Sequence, residues 1–190
     1  MHNPLVSILI PNYNKALYLR ETLDSVLAQT YTNWECIIVD DHSTDNSWEI
    51  LEKYAQKDSR FKIFKRPENR KKGGNAARNY AFELSKGEYI NWFDSDDLIN
   101  PIFIEEKVST FIKLDNLDYV LSDLYNFKDN VKNANAIYDF ESSKLSPFDF
   151  GNNNFVIQSG MPMYRRSFLQ SFSILFDESL QYGQDIEFNV

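Results

Sequence analysis

A short aromatic run in this chain ends abruptly in a cluster of three carboxylates. Residues 89–93 are Tyr-Ile-Asn-Trp-Phe, and Asp94, Asp96 and Asp97 follow directly. Like charges this close repel one another, so such a cluster favours a bound cation or a well-solvated position. Because side chains alternate along an extended segment, Asp94 and Asp96 point the same way and can share one hard cation. A metal site and an acidic loop that caps the next helix both fit these residues.

A second acidic pair, Asp40 and Asp41, directly follows the apolar run Cys36–Val39. A carboxylate at this position can accept a hydrogen bond from the N–H of a base or from a ribose hydroxyl. The alternative is helix capping, which the nearby Asp45–Ser47 segment indicates. We expect one aspartate of the pair to cap and the other to bind.

Basic residues and two glycines lie together at the start of a predicted helix. Gly73 and Gly74 permit close backbone approach, and free N–H groups at a helix N-terminus favour an anion such as a phosphate. Lys71 and Lys72 fit a solvated basic loop better, whereas Arg78 lies one turn inside an apolar helix start and is the stronger candidate. No glycine-rich loop ends in Lys-Ser or Lys-Thr, which excludes a P-loop ATPase.

Near the end of the chain, Gly183, Gln184 and Asp185 form a weaker motif. A carboxylate here could act as a general base at the open side of a crevice, and a surface helix start explains the motif equally well. The two histidines, His2 and His42, are far apart and form no ligand-spaced pair. Zinc chemistry and a Ser-His-Asp triad therefore lack support.

Hydrophobic periodicity indicates alternating strands and helices joined by short connections. We predict strands over 5–10, 36–39, 61–64, 89–93 and 119–121, and helices over 16–29, 48–55, 73–87 and 102–114. This order predicts an α/β fold with a mostly parallel central sheet flanked by helices. Ligands bind beyond the carboxyl ends of such strands, so the polar clusters at 11–14, 40–45 and 94–97 should converge on one crevice. That convergence favours the metal site.

The bulk properties exclude several classes of protein. The chain has 190 residues and a net charge of −8, which argues against nucleic acid as a partner. Its single cysteine, Cys36, is predicted to be a buried core thiol and allows no internal disulfide, which fits the cytoplasm. There is no signal-peptide pattern, and no apolar run approaches the roughly 20 residues of a transmembrane helix.

Four ordered blocks carry a resemblance to a known family: Val6–Asn14, Ile38–Asp45, Gly73–Asn79 and Tyr89–Asp97. The chain resembles the GT-A fold glycosyltransferases of family 2, which are inverting enzymes that use nucleotide-diphosphate sugars. Gly183–Asp185 is similar to a later Gly-Glu-Asp block of that family. The resemblance implies a GT-A fold and covers almost the whole chain.

By this resemblance, four residues contact the donor nucleotide. Pro11 and Tyr13 line the pocket for the base and ribose, Asp41 accepts from the uracil ring of a UDP-sugar, and Arg78 lies near the nucleotide. A nucleotide-sugar donor, most simply a UDP-sugar, is therefore the implied partner.

The resemblance also implies a metal and a base. Asp94 to Asp96 correspond to the DxD motif, with Asp96 on a Mn²⁺ or Mg²⁺ that bridges the two phosphates. Asp94 then reaches the ribose or the water shell of the metal. Asp185 is the implied base that deprotonates the acceptor hydroxyl.

Two departures from the family pattern affect these assignments. His42 stands where the family usually has a small residue, often glycine, so the base pocket is altered. Gln184 replaces the usual acid before Asp185. The chain also ends at Val190 without a capping or turn signal, and we expect it to be part of a longer protein.

We expect one GT-A catalytic domain over 1–190, with a nucleotide-sugar half at 1–122 and an acceptor-side half at 123–190. Residues 123–154 are too long for an ordinary connection and suit a lid or substrate loop. The expected function is transfer of the sugar to a glycan or lipid-linked acceptor in surface polysaccharide synthesis. The expected location of the protein is the cytoplasm. There it is either free or attached to the inner face of the membrane through a region beyond this chain.

Two other functions stay open. A sugar-phosphate nucleotidyltransferase would have a glycine-rich basic loop after the first strand, where this chain has Pro11–Asn14. A non-catalytic nucleotide-sugar binding module would keep Asp41 and Asp96 but tolerate loss of Asp185.

Overall fold

The computed structural model describes residues 2–127, 133–138, 158–173 and 175–180. The strands in these ranges are β1 Val6–Asn12, β2 Trp34–Asp40, β3 Phe61–Lys65, β4 Tyr89–Trp92, β5 Tyr119–Val120, β6 Leu124–Asn126, β7 Asn135–Tyr138 and β8 Met163–Arg165. The helices are α1 Leu19–Leu27, α2 Ser47–Lys57, α3 Gly74–Leu84, α4 Phe103–Lys113 and α5 Arg166–Leu169.

The main sheet has six strands in the order β3-β2-β1-β4-β8-β5. The first four strands are parallel, β8 runs antiparallel to β4, and β5 runs antiparallel to β8. The prediction of a mostly parallel central sheet is therefore confirmed. A separate pair, β6 and β7, is antiparallel.

Helices cover both faces of the sheet, as the near-continuous apolar sequence of its central strands requires. Along β1, Ile8 and Ile10 pack with buried residues of α1, α2 and α4, whereas Leu9 packs with residues of α3 and α5. Alternate side chains of one strand therefore contribute to two separate apolar clusters. Cys36 lies in the first cluster, and burial raises the pKa of its thiol, as expected for an inert core cysteine.

Several elements differ from their predicted bounds; for instance, β2 begins at Trp34 and α3 ends at Leu84. β1 continues through Pro11 to Asn12, because its register with β2 extends to Asn12 opposite Asp40. α1 begins at Leu19 rather than at residue 16, since Tyr18 and Leu19 first form a turn on the carbonyl of Lys15. Three short strands, β6, β7 and β8, were not predicted.

The segment before β8 is held in place by buried polar groups. Lys107, which is 3% exposed, donates to the carbonyl of Met161, and Ser122 Oγ donates to the same oxygen at 3.2 Å. Asn91 Nδ2 donates to the carbonyl of Pro162 at 2.6 Å. Burial lowers the pKa of Lys107 well below its ordinary value. These bonds fix the backbone of the segment against β4 and α4.

Within the described residues, no helix combines the length and the apolar character that crossing a membrane requires. The segment interpreted as a lid or substrate loop contains β6 and β7, and most of its remainder lies outside the described residues.

A buried carboxylate joins three strands at the end of the sheet opposite the polar clusters. Glu35 of β2 accepts from Ser7 Oγ at 2.6 Å, from the backbone N–H of Lys86 at 2.6 Å and from Lys62 Nζ at 2.7 Å. Burial alone would raise the pKa of Glu35, but these hydrogen bonds and the charge of Lys62 outweigh it and lower the pKa below 4.5.

This depressed pKa predicts how stability depends on pH. Because the folded state holds the ionised form more tightly, the contribution of Glu35 is present above its ordinary pKa and is lost as the pH falls through the folded pKa. Glu35→Gln should therefore lower the free energy of unfolding by about 1–2 kcal/mol at pH 7. The difference from wild type should shrink steadily below pH 4.5. Urea denaturation followed by tryptophan fluorescence across this pH range measures it.

Glu49→Gln, on the exposed face of α2, is the matched control and should change stability by no more than about 0.5 kcal/mol. A Glu35→Gln effect that is equal at pH 3 and pH 7 would contradict the assignment.

Candidate functional site

The carboxyl ends of β1 and β2 are joined by side chains. Asp40, 1% exposed, accepts from Asn12 Nδ2 at 2.7 Å, from the N–H of Ser43 at 2.9 Å and from Ser43 Oγ at 2.5 Å. Asn14 Oδ1 accepts from the N–H of Thr44 at 2.7 Å. Both of the loops that follow these strands are therefore fixed to each other. Asp40 therefore closes a turn on Ser43 and does not cap α2, whose N-cap residue is Asn46, so the prediction that one aspartate of the pair caps the helix is wrong.

Asp41, the other member, is held by a buried arginine. Arg66 Nε donates to Asp41 Oδ1 at 2.5 Å, and the N–H of Gly73 donates to Oδ2 at 2.8 Å. Both side chains of the ion pair are less than a tenth exposed. The N–H of Gly73, expected to be free for a phosphate, therefore already binds a carboxylate. Each Asp41 oxygen keeps a second lone-pair direction for a ligand donor.

The backbone conformation of His42 explains why the family that this chain resembles usually has a small residue, often glycine, at this position. Its φ is 59°, in the left-handed region that glycine adopts at low cost. Its ring Nε2 lies 2.9 Å from the carbonyl oxygen of Arg66, within hydrogen-bonding distance. The histidine ring is thus directed to the connection after β3.

The residues assigned to the base and ribose lie at the end of β1. Pro11 is half-buried and is paired in register with Val39 of β2. Tyr13 is 41% exposed, and Lys72 Nζ lies 4.8 Å from the centre of its ring. An exposed ring of this kind offers a flat face for a base or sugar. Lys72 is exposed, as expected of a solvated loop, and it also packs over the Tyr13 ring.

At the end of β4, Asp94 pairs with Arg78 of α3. Arg78 Nη2 donates to Asp94 Oδ1 at 2.8 Å, and the arginine side chain is 8% exposed, against 36% for the aspartate. The guanidinium also lies 5.6 Å from the ring centre of Phe176. Arg78 is therefore a fixed, nearly buried cation that orients Asp94.

Asp96 forms an ion pair with Lys15 on the loop after β1. Both side chains are open to solvent, at 35% for Asp96 and 37% for Lys15. Exposed pairs of this kind contribute at most about 1 kcal/mol. A ligand or a metal ion can therefore displace Lys15 at low cost.

Asp97 differs electrostatically from its neighbours. It is exposed by surface area, but the crowded strand end desolvates its carboxylate, and the charges of Asp94 and Asp96 add to this effect. Together they raise the pKa of Asp97 to about 6, against the opposing charge of Lys15. The raised pKa therefore reflects desolvation first and the neighbouring negative charges second.

The predicted residues Pro11, Tyr13, Asp41, Arg78, Asp94 and Asp96 therefore all lie along one edge, at the ends of β1, β2 and β4 and the start of α3. Asp185 lies outside the described residues, so its position relative to this edge stays a prediction.

Two residues of the site were missed in the sequence. Arg66 directly follows β3, which is also one of the parallel strands. The argument that polar residues after parallel strands converge on one crevice would have found Arg66 had it been applied to β3. Lys15 directly follows the Pro11–Asn14 cluster and had no comparable signal, because exposed lysines are common on surfaces.

The donor set fits a divalent cation shared with a ligand. Among the described residues, no group of three or more His, Cys, Asp or Glu side chains converges to hold a metal alone. Mg²⁺ and similar ions are commonly bound by one or two carboxylates together with substrate phosphates and water. Asp96 at an accessible edge, beside Asp94, meets that requirement.

Removal of Arg66 tests the buried ion pair. Arg66→Met removes the cation beside the buried Asp41 carboxylate and leaves it the hydrogen bond from the N–H of Gly73. This change should lower the free energy of unfolding by about 3–5 kcal/mol. Asp41→Asn in the same background should recover part of the loss, because it removes the uncompensated charge. Urea denaturation gives both values.

Lys15→Met is the control, since it removes one cation from an exposed pair and should cost no more than about 1 kcal/mol. Equal costs for the two single variants would show that the Arg66–Asp41 pair is not a buried structural link.

Curated relatives resemble most of this chain. An uncharacterized glycosyltransferase of Rickettsia typhi is 36% identical over 193 aligned residues, which cover 98% of this chain and 58% of the relative. Glycosyltransferase GlyG of Streptococcus pneumoniae is 40% identical over 127 residues, covering 66% of this chain and 41% of that protein. The chain thus spans less than two thirds of the length of these relatives.

Solved structures share the fold. S. aureus TarS 1–349 in complex with UDP-GlcNAc matches with a TM-score of 0.79 and 26% identity, covering 97% of this chain and 52% of TarS. A mannosyltransferase from Pyrobaculum calidifontis matches with a TM-score of 0.70 and 20% identity, covering 97% of this chain and 50% of the other. The predicted α/β fold of the GT-A type is confirmed.

The family profile named Glycosyl transferase family 2 matches residues 7–172, which include every described residue of the crevice. With this match and the crevice at the ends of β1, β2 and β4, the chain belongs to glycosyl transferase family 2.

Proposed function

We propose that this chain is the catalytic part of an inverting, metal-dependent glycosyltransferase that moves a sugar from a UDP-sugar to a hydroxyl of a glycan or lipid-linked acceptor. The observation that carries the proposal is the shared edge on which Asp41 and the Asp94–Asp96 pair flank β1. Residues 1–122 form the nucleotide-sugar half and 123–190 the acceptor half. Surface polysaccharide assembly at the cytoplasmic face of the membrane is the proposed setting, on the family resemblance alone.

The donor base lies between Tyr13 and Asp41 in this proposal. Tyr13 supplies an exposed aromatic face, and Asp41 supplies a carboxylate held in place by Arg66. A carboxylate accepts hydrogen bonds only, so it suits the ring N–H of uracil. TarS, whose structure contains UDP or UDP-GlcNAc, supports UDP as the nucleotide.

The diphosphate requires a cation at this edge. Asp94, Asp96 and Asp97 lie together, and after desolvation, which is the larger cause, the charges of Asp94 and Asp96 raise the pKa of Asp97 further. A diphosphate brought here without a counter-charge would be repelled further. Asp96 would bind Mn²⁺ or Mg²⁺, with Asp94 beside it. The cation, when bound, stabilises the charge that develops on the leaving UDP.

Sugar transfer then needs one base. Asp185 takes the proton of the acceptor hydroxyl, whose oxygen forms a bond to the anomeric carbon. The bond from that carbon to the β-phosphate oxygen breaks, and UDP leaves with the electron pair. A single displacement of this kind inverts the configuration of the anomeric carbon.

Calorimetric titration of UDP tests the metal bridge. Mn²⁺ should tighten UDP binding at least about tenfold, and Asp96→Asn should remove that gain while the protein stays folded. UDP binding that is equal with and without Mn²⁺, or unchanged in Asp96→Asn, would contradict the proposal. Asp97→Asn is the matched control, since it removes one charge from the same cluster and should keep most of the Mn²⁺ effect.

Turnover tests the assignment of the base. Hydrolysis of UDP-, GDP- and dTDP-sugars should be fastest for a UDP-sugar, and Asp185→Asn should reduce it at least about a hundredfold without weakening UDP binding. Glu187→Gln, which removes a nearby acid, serves as the control. Full turnover in Asp185→Asn would exclude Asp185 as the base. Release of pyrophosphate instead of a sugar would identify a nucleotidyltransferase, and binding without any turnover would identify a binding module.

A further inference from the structure

A large pocket opens beside Asp94, on the side away from Asp41 and β2. Its volume is about 620 Å³, within the range of small-ligand sites. We call it the β6 pocket, because residues of β6, together with Phe127 and Ala134, form one wall. Its apolar walls include Phe93, Ile99, Phe103, Tyr125, Phe127 and Met161.

The charged side chains of the β6 pocket are all acidic, and its other polar side chains, on Ser25, Asn100, Ser122 and Gln158, are neutral. Four carboxylates line it, on Asp94, Asp97, Glu106 and Asp123, and none of the described lining residues is Lys, Arg or His. The nearby Lys107 is 3% exposed and donates to the carbonyl of Met161, behind the lining, so a ligand does not reach it. Carboxylates only accept hydrogen bonds, so the four carboxylates favour a bound molecule that supplies several O–H or N–H donors.

The aromatic walls set a second requirement. Tyr125 is 53% exposed and Phe127 is 39% exposed, so their rings are accessible, whereas Phe93 and Met161 form a buried base. The base is rigid, because Met161 is fixed by Lys107 and by Ser122. A sugar ring satisfies both requirements, since its apolar face packs on an aromatic ring and its hydroxyls donate to carboxylates.

We propose that the β6 pocket binds the terminal sugar of the acceptor and that it selects an uncharged sugar over a phosphate-bearing one. The selection follows from charge: an anion would enter among four carboxylates with no accessible cation in the described lining. This inference rests on the proposed function for its place in the reaction, because Asp94 lies both in the pocket and beside Asp96.

Saturation-transfer NMR on the 190-residue chain, with UDP and diamagnetic Mg²⁺ present, measures the selection. The probes are methyl glycosides of glucose, galactose and N-acetylglucosamine, each compared with its 6-phosphate. At least one neutral glycoside should bind, and its 6-phosphate should bind at least about tenfold more weakly. Equal or tighter binding of the phosphates would overturn the proposal.

Paired variants test the location. Tyr125→Ala should weaken glycoside binding about fivefold, whereas Phe172→Ala, which removes an equally exposed ring elsewhere, should not. Glu106→Gln should reduce the difference in binding affinity between a glycoside and its 6-phosphate. Glu49→Gln on α2 should leave that difference unchanged. The proposal would be overturned if Tyr125→Ala left glycoside binding unaltered, or if Glu106→Gln left the affinity difference between glycoside and 6-phosphate unaltered.

A UDP titration of the same samples separates the two proposals. Metal-dependent UDP binding without any glycoside binding would overturn the pocket assignment and leave the donor site unaffected. This result is expected, for instance, if another segment of the chain fills the pocket. Glycoside binding without UDP binding would support the pocket as a sugar site and contradict the proposed function.

Discussion

The rest of the site depends on the hydrogen bonds that the buried Asp40 carboxylate accepts. It accepts from Asn12 at the end of β1 and from the backbone and side chain of Ser43 after β2. A buried carboxylate left without these donors would be costly, so the folded state strongly favours the one arrangement that supplies them. That arrangement fixes where Tyr13 and Asp41 lie relative to each other, because each directly follows one of the two strands.

Burial then separates permanent ion pairs from exchangeable ones. The Arg66–Asp41 pair is less than a tenth exposed and the Lys15–Asp96 pair is more than a third exposed. Breaking the first leaves a buried charge, whereas breaking the second exposes two groups that water already solvates. Asp41 is thus built to keep one orientation, and Asp96 is built to change partner when a ligand arrives.

Much of the site was predictable because its signals are local. Each of β1, β2 and β4 is an apolar run followed by polar residues, and a parallel sheet brings such strand ends together. The strand-end argument extends to Arg66 after β3, but its pairing with Asp41, 25 residues away, depends on the register of β3 with β2 and has no local signal. β8 was missed because three residues carry too little periodicity. The β6 pocket combines segments far apart in sequence, which no local pattern can reveal.

The negative charge of the crevice acts differently on the two proposed substrates. On the donor side, the clustered carboxylates of Asp94, Asp96 and Asp97 would repel a diphosphate, and a cation reverses that repulsion. On the acceptor side, the same field faces a pocket whose described lining has no basic residue. A phosphate there would lack the cation that serves the donor. Because Asp94 lies at the boundary of both regions, one acidic cluster can both require a metal for the donor and exclude an anionic acceptor.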